Sequence, residues 1–85
     1  MKYRIIVSDK LEKILKKLGK TKPTTLKDLK KQIVKVALNP AIGKPLRNVL
    51  KNYRRVHIGP FVLVYEIRLD EVRLLDFDHH DKIYK

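Results

Sequence analysis

The hydrophobic period of this chain changes once, near Tyr53, from close to 3.6 residues to 2. Apolar residues three and four apart build one face of a helix, and alternating residues build one face of a strand. The first part should therefore be mainly helical and the second part a sheet. Before the helices, residues 2–7 alternate, with Tyr3, Ile5 and Val7 on one side, as a short strand does. Ser8 is a suitable N-cap. Leu11, Ile14, Leu15 and Leu18 then mark a first helix, with Gly19 at its end and a turn over 20–23. Thr25 and Asp28 have capping-box spacing, and Leu26, Leu29, Ile33, Val36 and Ala37 form the buried stripe of a second helix. Lys27, Lys30, Lys31 and Lys35 fall on its outside, and Pro40 ends it. Residues 41–52 read mainly as a loop. Strands are predicted over 53–58, 61–68 and 71–77, punctuated by Gly59-Pro60 and Leu69-Asp70. Val56, Ile58, Leu63, Tyr65, Ile67, Val72 and Leu74 should face the helices, while Phe61 and Leu75 leave the phase open. The expected fold is α+β: a single domain spanning 1–85, in which a two-helix hairpin packs on an antiparallel sheet. Its C-terminal part is a three-strand meander, and the first strand joins at an edge or in the interior.

With 85 residues and no cysteine, the core is thin and is not stapled by disulfides or thiolate metal sites. No apolar run approaches the roughly 18 residues of a membrane-spanning helix. The start, Met1-Lys2-Tyr3-Arg4, reads as the beginning of a strand and not as a signal peptide, so a cytoplasmic location is expected. The charge is uneven. Residues 1–55 carry 17 Lys or Arg against three acids, and residues 56–85 carry four against six, within a net +12. A basic pole of this kind attracts polyanions. A merely solvated helix face has the same composition.

Three stretches carry a family pattern. Asn39-Pro40-Ala41-Ile42-Gly43-Lys44-Pro45-Leu46 resembles the segment that follows the second helix in the RelE/ParE toxin superfamily. The run from Leu50 to Tyr65, which contains Arg55, His57, Gly59 and Phe61-Val62, resembles its strand pair, L-x-x-x-x-R-x-R-x-G-x-Y-R-x-x-Y. Phe77-Asp78-His79-His80-Asp81-Lys82-Ile83-Tyr84 resembles its terminal G-H-R-x-x-x-Y. The resemblance spans nearly the whole chain in the right element order. It implies a toxin of a type II toxin–antitoxin system. In the RelE branch this is a ribosome-dependent endoribonuclease that cleaves translated messenger RNA, needs no cofactor and is silenced by a RelB-like antitoxin. The ParE branch shares the fold, lacks ribonuclease activity and acts on DNA gyrase. A catalytically weak RelE homologue is a further alternative.

Such a ribonuclease turns the substrate's own 2′-hydroxyl on the adjacent phosphate, which requires a base, an acid and cations around the phosphate. By the resemblance, Arg55 and His57 occupy the basic strand positions, with Arg55 on the phosphate and His57 as acid or base. A period of two puts Tyr53, Arg55 and His57 on one face, opposite Val56 and Ile58. His80 matches the Arg of the terminal pattern, and Tyr84 matches the Tyr expected to stack on a base. Lys44, Arg47, Lys51, Arg54, His79 and Lys82 are the basic residues expected to bind RNA. One position departs from the family: Val62 stands where the pattern has an arginine. Asp78 and His80 share a strand side, but no distant ligand pair accompanies them, so no metal site is expected. Tyr3 and Tyr65 read as core aromatics.

Overall fold

The structure is a computed structural model that describes residues 3–45 and 53–83. Arg47, Lys51 and Tyr84 lie outside the described residues. The elements are β1 (Arg4–Val7), α1 (Asp9–Thr21), α2 (Pro23–Leu38), a 3-10 turn (Pro40–Ile42), β2 (Lys44–Pro45), β3 (Tyr53–Ile58), β4 (Phe61–Arg68), β5 (Glu71–His79) and α3 (His80–Ile83).

Both long helices end at the residue before a proline. Lys22 has φ −143° and ψ 69°, and Asn39 has φ −150° and ψ 88°. The ring of the following proline excludes the helical region at both positions. This corrects two boundaries. Gly19 lies inside α1, where a Cβ would sit 3.6 Å from Leu26 Cδ2 of α2, and Pro23 ends the helix. Similarly, α2 starts at Pro23 and not at a Thr25 cap, because proline at the first helical turn is already set at a helical φ. Ser8 does cap α1, its Oγ accepting from Leu11 N at 3.0 Å.

The sheet order is β1-β5-β4-β3-β2. The meander β3-β4-β5 is antiparallel as expected. β1 joins at the edge, parallel to β5, so the sheet is mixed. Of the 41–52 segment, the described part contains the 3-10 turn and the short β2, which pairs with β3.

The helix-facing side of the sheet carries the core. Leu11, Leu18, Leu29 and Val36 of the helices meet Ile58, Leu63, Tyr65, Val72, Leu74 and Phe77, with Val56, Phe61 and Ile67 packed at the margin. The phase break at Leu75 is a β-bulge. Val64 pairs with Asp76 and Tyr65 with Leu74, which leaves Leu75 extra on β5. An extra residue moves the following side chains to the other face, so Phe77 faces the helices although Leu74 is three residues earlier. Ser8 Oγ donates to the Leu75 carbonyl at 2.8 Å, and this ties the start of α1 to the bulge.

Candidate functional site

The face of the sheet away from the helices is where the predicted strand residues come together. On β3, Arg55 lies opposite Val64 and His57 opposite Val62 of β4; across β4, Val62 and Val64 lie opposite Asp78 and Asp76 of β5. Directly paired residues share a face, so these side chains form one surface. Lys44 of β2 lies opposite Arg55 and extends it. The surface is not basic throughout. Lys44 and Arg55 make the β2–β3 side positive, with His57 beside them. On β5, Arg73 is bound by Glu71, with Nε and Nη2 both 3.0 Å from Oε1, and Asp76 and Asp78 follow.

His80 closes this surface from the C-terminal side. Its backbone N–H donates to the Pro60 carbonyl at 2.9 Å. Its ring stacks on His57 with centroids 5.8 Å apart and planes 27° apart. Below them Val62 is fully buried. Arg55 donates from Nη1 to the Pro45 carbonyl at 3.3 Å, which fixes its stem beside β2. Asp81 stands 3.7 Å from Nδ1 of both His79 and His80, but at 85% side-chain exposure solvent screens it strongly.

Of the other predicted RNA contacts, the three among the described residues, His79, Lys82 and Arg54, are elsewhere. His79 and His80 are consecutive and point to opposite sides. His79 meets Phe61 edge-on, with centroids 5.9 Å apart, on the helix side. Lys82 lines a cleft on that side. Arg54 also points away from the His57–His80 surface: its Nη1 donates to the carbonyls of Gly43 at 2.6 Å and Ala41 at 3.4 Å. With Tyr65 it holds the 39–45 segment. The Tyr65 hydroxyl donates to the Pro40 carbonyl and accepts from Gly43 N at 3.0 Å. Burial pushes the Tyr65 phenol above its usual 10.0, opposed in part by the Gly43 hydrogen bond and the Arg54 charge. A Cβ at Gly43 would fall on the Tyr65 hydroxyl oxygen, so only glycine fits there. This clamp sets the path into β2 and so the position of Lys44. The sequence reading took Tyr65 as a core aromatic and did not foresee its two backbone partners, because they depend on long-range packing.

Two stacked imidazoles, with a guanidinium alongside, can take a proton at one point and give one at another. Among the described residues no group of three or more His, Cys, Asp or Glu could hold a metal ion. No helix among them is long and apolar enough to cross a membrane.

Residues 5–84 match the family model described as the ParE toxin of the type II toxin–antitoxin system parDE. A protein of Methanocaldococcus jannaschii named "Putative toxin RelE4" is 42% identical over 86 residues, covering 98% of this chain and 92% of that protein. The YoeB dimer of Staphylococcus aureus has the same fold, with a TM-score of 0.79 at 17% identity over 94% of this chain and 99% of that one. The toxin–antitoxin complex RelBE2 of Mycobacterium tuberculosis matches with a TM-score of 0.66 at 25% identity, over 94% of this chain and 100% of the other. On the family match and the full-length relative together, the chain belongs to the RelE/ParE superfamily of type II toxin–antitoxin toxins.

Proposed function

We propose that this toxin is a cytoplasmic, metal-independent endoribonuclease that cleaves translated messenger RNA on the ribosome. The observation that carries this reading is the His57–His80 stack over buried Val62 with Arg55 alongside. One imidazole takes the proton of a 2′-hydroxyl. The 2′-oxygen bonds to the adjacent phosphorus, and the bond from phosphorus to the 5′-oxygen breaks. The second imidazole protonates the departing 5′-oxygen, so the products are a 2′,3′-cyclic phosphate and a 5′-hydroxyl. Arg55 and Lys44 stabilise the charge on the phosphate. Tyr84 is assigned to the flanking base, and Arg47 and Lys51 to the RNA backbone. The ribosome positions the substrate.

Primer extension on messenger RNA after brief expression tests this. New breaks inside translated codons are expected. His57→Ala and His80→Ala should each lower cleavage about 100- to 10,000-fold. Arg55→Ala should lower it by about 100- to 1,000-fold. An Arg55/His57 double variant that remains fully toxic would overturn the assignment.

Two observations favour a second reading. The matching family model is that of ParE, and Val62 leaves the centre of the surface without a guanidinium. A gyrase inhibitor of that type would block DNA supercoiling and leave messages intact.

The partner is assigned as a RelB-like antitoxin. Val34, Leu38 and Ile42 are 58%, 77% and 43% exposed at intervals of four residues. Lys27, Lys30, Lys31 and Lys35 flank this stripe along α2. An amphipathic acidic segment complements such a surface in both apolar contact and charge. Loss of copurification of the adjacent gene's product in Val34→Ser/Leu38→Ser would support that contact.

A further inference from the structure

On the helix side of the sheet, at the end marked by the Gly59-Pro60 turn, α1, β4, β5 and α3 enclose a cleft of about 290 Å³. Phe61 and Phe77 make its floor, stacked with centroids 5.3 Å apart. Lys17, Lys22 and Lys82 stand around it, and Thr21 and Asp78 add polar groups. Lys22 Nζ lies 4.8 Å from the Phe61 ring centroid, so a long, flexible cationic side chain stands over the ring. An aromatic platform rimmed by cations is how proteins hold single-stranded nucleic acid: a base stacks, and its phosphate meets the lysines.

We propose that this cleft is a nucleotide subsite for single-stranded RNA, seating one base on Phe61 and its phosphate among Lys17, Lys22 and Lys82. The volume is at the lower end of ligand pockets, which suits one nucleotide. The cleft lies across the sheet from the candidate catalytic surface, at the same Gly59-Pro60 end. His79 meets Phe61 on this side, and its chain neighbour His80 stacks on His57 on the other. A strand leaving the His57–His80 pair reaches the cleft by passing over the Gly59-Pro60 end of the sheet. The inference rests on RNA being the substrate, and it accounts for His79 and Lys82 lying apart from Arg55 and His57.

The test uses the full chain and a 5′-fluorescein-labelled 2′-O-methyl hexaadenylate, which lacks the attacking hydroxyl and so reports binding without cleavage. Phe61→Leu should weaken binding by about 5- to 100-fold, the value of one stacked base. Lys17→Gln/Lys22→Gln should weaken binding and flatten its salt dependence. Lys13→Gln/Lys16→Gln removes the same charge from exposed positions elsewhere on α1 and should have a much smaller effect. Equal losses in the two double variants would overturn the subsite, because the attraction would then be diffuse charge alone. Unchanged affinity in a folded Phe61→Leu would overturn it too. If Phe61→Leu fails to fold, the two lysine pairs still decide. Release of the antitoxin by Lys17→Gln/Lys22→Gln without any effect on RNA would assign the cleft to the protein partner and overturn the proposal. Cleavage is scored separately: a subsite that binds in a chain that cuts no message refutes the nuclease, and a nuclease indifferent to the cleft variants in binding refutes the subsite.

Discussion

Tyr65→Phe isolates the clamp that carries the chain from α2 into β2. The substitution removes one oxygen from a fully buried ring and leaves its packing in place. Two backbone groups of buried residues lose a partner: the Gly43 N–H, which donates to the hydroxyl at 3.0 Å, and the Pro40 carbonyl, which accepts from it. A buried group left without a hydrogen bond costs about 1–3 kcal/mol. Arg54 still binds the Gly43 and Ala41 carbonyls, so the segment stays tethered and cannot turn both groups to water. The expected loss is about 2–4 kcal/mol, a large share of the roughly 5–15 kcal/mol typical of a whole domain. At about 4–8 °C per kcal/mol, Tm should fall by at least about 8 °C. Thermal melts by circular dichroism and calorimetry measure this, and hydrogen exchange at the Gly43 amide locates it. A Tm within about 2 °C of the parent, with the Gly43 amide still protected, would refute the reasoning.

The remaining expectations follow from neighbouring features. Gly43→Ala should destabilise more than Tyr65→Phe, and Tyr65→Phe should not rescue it, because the added Cβ would also lie 2.9 Å from the ring carbons Cε1 and Cζ; paired denaturant titrations decide this. The Tyr65 phenol is held above 10.0 by burial, so its contribution is complete below pH 10 and is lost as pH rises through the folded-state value; alkaline unfolding should be less steep in Tyr65→Phe. Ser8→Ala should cost about 1–3 kcal/mol by urea titration, since it removes the α1 cap and the donor to the Leu75 carbonyl together. Leu69 is 92% exposed at φ 55°, a left-handed conformation that costs an L side chain about 1–2 kcal/mol, so Leu69→Gly should raise Tm; a lower Tm would show that this leucine makes a compensating contact.

What the sequence revealed depended on how local each signal was. Strand phase is a local property, and the alternation on β3 correctly separated Arg55 and His57 from Val56 and Ile58. On β5 alternation broke at Leu75, and only the partner strand shows why: a bulge is a mismatch between two strands, invisible in either alone. Helix ends were legible at Pro40 and misread at Gly19. Both ends obey the same proline rule, but a glycine close by offered a competing stop signal. The site was legible only as far as strand phase reached. Beyond Phe77 a one-residue difference decides the side of the sheet, and so His79 and His80, adjacent in sequence, lie on different surfaces. Arg54 shows the converse limit. It is one residue from Arg55 and equally basic, yet alternation turns it to the opposite face, where backbone carbonyls occupy its guanidinium. A basic residue near a family motif is thus a candidate for substrate contact only if its parity places it on the surface that the substrate meets. By that criterion Lys44, Arg55, His57 and His80 remain together, whereas His79 and Lys82 belong with the Phe61 cleft.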